Sequence, residues 1–264
     1  MWIWLSFALI GCLAGMSAGL LGLGGGLIIV PTLLLVFHLQ GLPAEQLVHI
    51  AIATSLMTIT VTALSSTFAH HRQQNINWSA VKQLTPGLVL GGIVGAYLAT
   101  SIEGALLQRC FAVYALVVAL RMWFPMTVAV DESLLKTVKV GAAGIVIGII
   151  SAIVGIGGGS LTVPYLVMAK QSMTKAVGTA AACGFPISVA AVLGFIAFGQ
   201  NNATINDNWL MGAVHWQAFL GIIATSIIFA PLGAKLATRL PVKVLRQLFS
   251  IALLLVALSL FITN

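Results

Sequence analysis

Charge is what this sequence has least of. Its 264 residues include 12 Lys and Arg and only 5 Asp and Glu, so charged side chains make up 6 % of the chain, against about 25 % in a typical soluble domain. A soluble fold of this length must cover its surface with polar groups, and these are too few. The shortage excludes a soluble enzyme, a nucleic-acid-binding domain and a disordered chain. The net charge of +7 does not restore nucleic acid as a partner, because no basic cluster is interleaved with aromatics. The basic residues stand singly or in pairs between apolar stretches, as juxtamembrane residues do.

Other absences narrow the chemistry. The three cysteines, Cys12, Cys110 and Cys183, form no C-x-x-C pair and lie in apolar sequence, where a small buried hydrophobe is the ordinary reading. The five histidines show no metal-ligand spacing, and His70-His71 fall in what reads as a polar loop. No Ser-His-Asp, paired-carboxylate or His-Cys constellation lies within an apolar stretch, so neither an enzyme, a metal site nor a cofactor is expected. Residues 1–10 contain no Lys or Arg. Although Leu9-Ile10-Gly11-Cys12 looks like a lipoprotein box, the signal-peptide n-region is missing, and residues 2–21 read as a mature membrane segment.

What is present is apolar sequence, 60 % of the chain. Stretches with little or no charge run over 2–39, 47–69, 83–101, 105–126, 137–169, 175–199, 213–238 and 244–262. A spanning helix needs about 20 such residues, and lipid requires the backbone to satisfy its own hydrogen bonds, which makes helices the default. Residues 2–39 as one helix would reach about 57 Å, far beyond a hydrocarbon core of about 30 Å. This stretch and 137–169 each carry a glycine cluster, Gly22-Leu23-Gly24-Gly25-Gly26 and Gly155-Ile156-Gly157-Gly158-Gly159, with Pro31 and Pro164 shortly after. Consecutive glycines permit sharp turns, so both stretches are expected to break or fold back. Pro186 is expected to break 175–199.

The chain repeats itself. The glycine clusters and their prolines align at a constant offset, Ala51-Ile52-Ala53-Thr54 resembles Ala176-Val177-Gly178-Thr179, and Gly95-Ala96-Tyr97-Leu98-Ala99-Thr100 resembles Gly233-Ala234-Lys235-Leu236-Ala237-Thr238. Leu107 and Phe111 match Leu245 and Phe249, in the same order. We read two homologous halves, 1–127 and 137–264, a common plan in secondary transporters. If each glycine-bearing stretch crossed the membrane once, Lys and Arg would divide 7 to 5. If each returns to its starting side, Arg72, Lys82, Arg121, Lys136, Lys139, Lys170, Lys175, Lys235, Arg239, Lys243 and Arg246 collect on one side and only Arg109 on the other. The positive-inside rule selects the second arrangement.

The expected fold is therefore an all-α polytopic membrane protein of 8–10 membrane segments. It has two inverted repeats, each a glycine-tipped hairpin (2–39; 137–169) plus three spans (47–69, 83–101, 105–126; 175–199, 213–238, 244–262). Both termini lie outside and the basic loops in the cytoplasm. Trp2, Trp4, Trp78, Trp123, Trp209 and Trp216 fall near span ends, as an aromatic belt requires.

The glycine clusters do not match nucleotide-binding motifs: Leu27 and Ser160 stand where the dinucleotide fingerprint needs glycine, and no P-loop Lys follows. Gly11, Gly15 and Gly19 share a helix face and are assigned to helix packing. Three adjacent glycines line no single face. They would expose consecutive backbone N–H groups at the start of the next helix, where the helix dipole favours an anion. The expected substrate site is Gly22, Gly24, Gly25 and Gly26 with Gly157, Gly158, Gly159 and Ser160, supplemented by Thr54, Ser55 and Thr179 along a hydrophilic path. His49 is a weaker candidate for proton coupling.

The duplicated Gly-x-Gly-Gly-Gly clusters followed by proline, the Ala-x-[Ala/Gly]-Thr segments and the Gly-Ala-x-Leu-Ala segments resemble the sulfite exporter TauE/SafE family of membrane permeases. The resemblance covers nearly the whole chain. It implies a bacterial inner-membrane secondary transporter of small anions, often sulfur-containing, such as sulfite, sulfoacetate and other sulfonates, with alternating access that moves one half against the other. Ala180 replaces the serine that often follows Thr179, as Ser55 follows Thr54, so the halves would contribute unequally. The expected partners are a small anion and the lipid bilayer, with no nucleic acid; a homo-oligomer is left open. A channel, a non-transporting membrane subunit and a transporter of a non-anionic solute stay as alternatives.

Overall fold

The computed structural model describes residues 2–22, 25–42, 44–124, 139–199, 210–211 and 213–236, with ten positions between 247 and 260. The described chain is almost entirely helical: α1 (Trp2–Leu21), α2 (Gly26–Leu39), α3 (Ala44–Arg72), α4 (Trp78–Ser101), α5 (Gly104–Trp123), α6 (Lys139–Val154), α7 (Gly159–Met168), α8 (Met173–Phe198) and α9 (Trp216–Leu236). A two-residue antiparallel pair, β1 (Leu210–Met211) with β2 (Val214–His215), precedes α9. Among the described residues six helices, α1, α3, α4, α5, α8 and α9, are long and apolar enough to cross a membrane. The protein is an all-α, multi-pass membrane protein. Trp2, Trp78, Trp123 and Trp216 are terminal residues of their helices, where amphipathic rings meet the interface.

Both long apolar stretches break at their glycines. Gly22, Gly25, Gly155 and Gly158 adopt φ of +66°, +78°, +76° and +74°, left-handed values that cost other residues about 1–2 kcal/mol. The chain then folds back. A methyl built on Gly25 would lie 2.8 Å from the carbonyl oxygen of Ala14, well up α1, and one on Gly158 would lie 3.1 Å from Ser151 Oγ on α6. Phe7, near the start of α1, and Phe37, near the end of α2, both pack against the His215 ring, with centroids 6.2 and 4.9 Å away. The two arms of the first hairpin thus return to one level. At 14 and 10 residues, α2 and α7 reach only about 21 and 15 Å, short of a full crossing.

The packing pattern is preserved when α1–α4 exchange places with α6–α9. Helix α1 packs on α9 and α6 on α4; α3 packs on α9 and α8 on α4; α2 lies on α3 and α7 on α8; α3 and α8 meet at the centre. The central pair runs antiparallel, since Thr60 Oγ1 donates to Ser188 Oγ at 3.1 Å and a methyl on Gly178, near the start of α8, would lie 3.2 Å from His70 Cβ, near the end of α3. The peripheral pairs are small-residue seams. Gly11, Gly15 and Gly19 press on the α9 backbone at Ile222, Ser226 and Ala230, and Gly87, Gly91 and Gly95 press on α6 at Gly141, Ile145 and Ile149. Without side chains at these sites the helices approach to backbone contact, which drives association where lipid is as apolar as leucine.

Two expectations need correction. Pro186 does not break its span: α8 is continuous from Met173 to Phe198, because neighbouring helices in a bundle can accommodate the bond that proline removes. The supposed loop from His70 is helical through Arg72, and α4 begins at Trp78, where Asn77 Oδ1 accepts the Ala80 N–H at 3.2 Å. Much of the span expected at 244–262, with Leu245 and Phe249, lies outside the described residues, as does Trp209.

Candidate functional site

The two glycine turns meet. A methyl on Gly26 would lie 2.5 Å from the Gly155 carbonyl oxygen and 3.0 Å from Ile59 Cδ1, halfway along α3. A methyl on Gly184, near the middle of α8, would lie 3.2 Å from the Gly157 carbonyl oxygen. Ser55 Oγ donates to Gly155 O at 2.9 Å and ties the second turn to α3. The meeting point is therefore at mid-depth of the two central helices.

Each turn starts a helix in the same way. The N–H groups of Ile28 and Ile29 go to Gly25 O at 3.0 and 3.1 Å, and those of Leu161 and Thr162 go to Gly158 O at 3.1 and 2.8 Å. The preceding amides, on Gly26 and Leu27 and on Gly159 and Ser160, belong to the orphan donors that every helix start carries, and no bond to them is seen among the described residues. All four turn glycines at these starts, Gly25, Gly26, Gly158 and Gly159, are buried. Gly24 lies outside the described residues.

Between the turns runs a crevice lined by Ala18 and Gly22 of the first hairpin, Gly157 of the second, Ala63 and Ser66 of α3, and Ala180, Ala181 and Gly184 of α8. It is too narrow for a water molecule in this conformation. Its walls are small side chains and backbone, with Ser66 the one hydroxyl, and no charged side chain lines it.

The remaining expected site residues divide. Gly22 and Gly157 line the crevice, and Ser55 supports the second turn. Ser160 Oγ pairs with Tyr114 Oη of α5 at 2.6 Å. Thr54 and Thr179, fully buried, do not line the crevice. Thr54 Oγ1 accepts the backbone N–H of His215 at 2.9 Å, and Thr179 Oγ1 accepts that of Asn77 at 2.9 Å, so each hydroxyl holds the start of a helix in the opposite half of the sequence. His49 Nε2 lies 3.1 and 3.0 Å from the carbonyl oxygens of Ala99 and Ile102 and donates to the end of α4, a favourable site for a histidine.

Thr62 belongs to the row of hydroxyls that the sequence shows along this span with Thr54, Ser55, Thr58 and Thr60, whereas the contacts of Ser65 and His70 with neighbouring helices went unread. Thr62 Oγ1 pairs with Ser226 Oγ at 3.0 Å, Ser65 Oγ donates to Ile227 O at 2.9 Å, and His70 is 1 % exposed with Nε2 3.2 Å from Gly19 O. The run Thr54, Thr58, Thr62, Ser66, His70 recurs every four residues. That spacing makes successive members neighbours on a row that winds slowly around the helix, and it was visible in the sequence.

The model of the family described as "Sulfite exporter TauE/SafE" matches residues 7–260. The chain belongs to this family. A "Probable membrane transporter protein" of Haemophilus influenzae is 34 % identical over 257 residues, 96 % of each chain. The "Probable membrane transporter protein MJ0441" of Methanocaldococcus jannaschii is 27 % identical, covering 92 % of this chain and 89 % of that one. The "Probable membrane transporter protein YunE" of Bacillus subtilis is 25 % identical over 95 % of this chain and 94 % of its own. No solved structure matches the chain. As a TauE/SafE protein with these relatives and six long apolar helices, the chain is a membrane transporter embedded by multiple passes.

Proposed function

We propose that this TauE/SafE protein is a secondary transporter of a small, sulfur-containing oxyanion, such as sulfite or an organosulfonate, and has no enzymatic activity. The observation that carries the reading is the meeting of the two glycine turns that start α2 and α7, with Gly26 against the Gly155 carbonyl oxygen, at mid-depth beside a crevice without acidic side chains. Their dipoles and orphan amides favour negative charge. Discontinuous helices whose N-termini converge near the midplane are a recurring way to bind anionic substrates in transporters.

The chain is read as two oppositely oriented homologous halves, 1–127 and 137–264, in a bacterial inner membrane, with both termini outside and the basic loops in the cytoplasm. The antiparallel α3 and α8 and the exchange of packing partners support this reading. The moving bodies are then not the sequence halves. Helix α9 is seamed to α1 and α4 to α6, so one body comprises α1, α2, α3 and α9, and the other α4, α6, α7 and α8. Rocking about the α3–α8 contact would open the crevice to alternate sides. Export of an anion from a negative-inside cell gains about 2.3 kcal/mol per charge per 100 mV.

The test is counterflow in proteoliposomes with sulfite, thiosulfate, sulfoacetate and taurine, using chloride and alkali cations as controls. Saturable counterflow of a sulfur oxyanion is expected, and it should be lost in Gly158→Val. Flux that does not saturate would mark a channel, a preference for cations would overturn the anion site, and no flux would mark a non-transporting subunit.

A further inference from the structure

At one end of the crevice lies a buried imidazole that the site described above does not use. His70 sits in the last turn of α3, is 1 % exposed, and has its Nε2 3.2 Å from the carbonyl oxygen of Gly19. A carbonyl can only accept, so Nε2 carries the proton and, in the neutral ring, Nδ1 is a bare acceptor. Nδ1 is buried and has no hydrogen-bond partner. An unsatisfied buried acceptor is costly, and such groups in native folds call for a reason.

The surroundings supply one. His70 is one helical turn beyond Ser66, which lines the crevice; its partner Gly19 stands between the lining residues Ala18 and Gly22; and Gly178, which packs on its Cβ, is two residues from the lining Ala180. The imidazole thus stands one helical turn beyond the crevice lining, where α1, α3 and α8 converge. The titratable and charged groups around it are cationic or neutral: His71 and Arg72 beside it on α3, and exposed Lys175 in the first turn of α8, while α1 and the turn 73–77 present none. Among the described residues no carboxylate faces it. Glu45 is at the opposite end of α3, and Glu103 precedes α5 beyond the far end of α4.

We infer that His70 is a joint binding site for a proton and the transported oxyanion, formed where the crevice meets the end of α3. Protonation turns Nδ1 into a donor that needs an acceptor, and buries a cation that needs a counter-charge. The described chain offers neither, and an entering oxyanion offers both. Proton and anion therefore bind cooperatively: the proton adds to Nδ1, the Nδ1–H donates to an oxygen of the anion, and the pair is close to neutral. The inference rests on the anion reading above and adds the ion to which transport is coupled.

The test is binding of methanesulfonate, whose charge is constant from pH 5.5 to 8.5, to the purified full chain by calorimetry. The wild type is expected to lose affinity as pH rises, approaching tenfold per pH unit once His70 is mostly neutral, with uptake of about one proton per anion bound above that point. His70→Gln can still donate to Gly19 O, and it should bind the anion more weakly with a flat pH profile. Proton uptake, read on the wild type by repeating the titration in buffers of different ionisation enthalpy, does not depend on the variant folding. Binding without proton uptake, or a variant with the wild-type pH slope, overturns the role of His70 and leaves the anion site standing. No binding by the wild type at any pH overturns both.

Discussion

Thr54 Oγ1 accepts the backbone N–H of His215 at 2.9 Å, across 161 positions of sequence. His215 in turn caps α9, its Nδ1 accepting the Ala218 N–H at 3.2 Å. The same device recurs at the other end of the bundle, where Thr179 accepts from Asn77 and Asn77 caps α4 through Ala80. In both places a buried threonine of a central helix satisfies a helix start that belongs to the other half of the sequence. These two bonds stitch α9 to α3 and α4 to α8, and they show why the packed bodies cut across the sequence halves.

Replacing either threonine by valine keeps shape and removes the acceptor. A buried N–H left without a partner costs about 1–3 kcal/mol. Thr54→Val and Thr179→Val should each lower the unfolding midpoint in detergent. Thr54→Ser should stay near wild type, because it keeps the oxygen. The two sites lie ~20 Å apart along the central helices, so the double variant should show additive loss.

The left-handed glycines separate backbone conformation from bulk. Gly25 and Gly158 have φ of +78° and +74°. Gly158→Ala should destabilise by about 1–2 kcal/mol and Gly158→Asn by less, since Asn tolerates this region. The built methyl at Gly158 meets side-chain tips alone, Ile187 Cδ1 at 2.5 Å and Ser151 Oγ at 3.1 Å, so strain, not collision, should dominate there. At Gly19 the opposite holds: a methyl would collide with the Ala230 backbone carbonyl. Gly19→Ala should therefore weaken the α1–α9 seam although its φ is ordinary. Thermal melts of the four proteins would rank these effects, and equal behaviour of Gly158→Ala and Gly158→Asn would contradict the strain argument.

Much of this was legible in the sequence. Gly22 and Gly25 recur as Gly155 and Gly158 at one offset, and all four fall where φ is positive, so the turns could be read directly. The spacing of Gly11, Gly15 and Gly19 announced a seam. The roles of Thr54 and Thr179 were not legible, because their partners are 161 and 102 positions away and a hydroxyl in an apolar helix looks the same whether it lines a path or caps another helix. His70 was misplaced in a loop because hydropathy falls at residue 70. Its burial is decided by Gly178, whose lack of a side chain leaves room beside the His70 Cβ, and by the Gly19 carbonyl that accepts from its ring.

The topology reading makes a direct prediction. In a background without Cys12, Cys110 and Cys183, single cysteines at Asn75 and Asn206 should react with a membrane-impermeant maleimide from opposite sides, Asn75 only after the cytoplasmic face is opened. Labelling of both from one side would overturn the assignment of basic loops to the cytoplasm and, with it, the opposite orientation of the halves.

The division into moving bodies predicts which cross-links stop transport. Ala63 on α3 and Gly184 on α8 face each other across the crevice, and a methyl built on Gly184 lies 3.5 Å from Ala63 Cβ, a separation that a disulfide accepts. These residues belong to different bodies. An Ala63→Cys/Gly184→Cys pair, oxidised in a cysteine-free background, should abolish counterflow, and reductant should restore it. The control lies inside one body: Gly92 on α4 and Ala190 on α8, whose built Cβ separation is 3.1 Å and which a shift of about 0.4 Å brings into disulfide range. That cross-link should form with little effect on flux, because α4 and α8 move together. If the second bond blocked transport as fully as the first, α4 would have to slide on α8 during the cycle, and the bodies would need to be redrawn along the sequence halves.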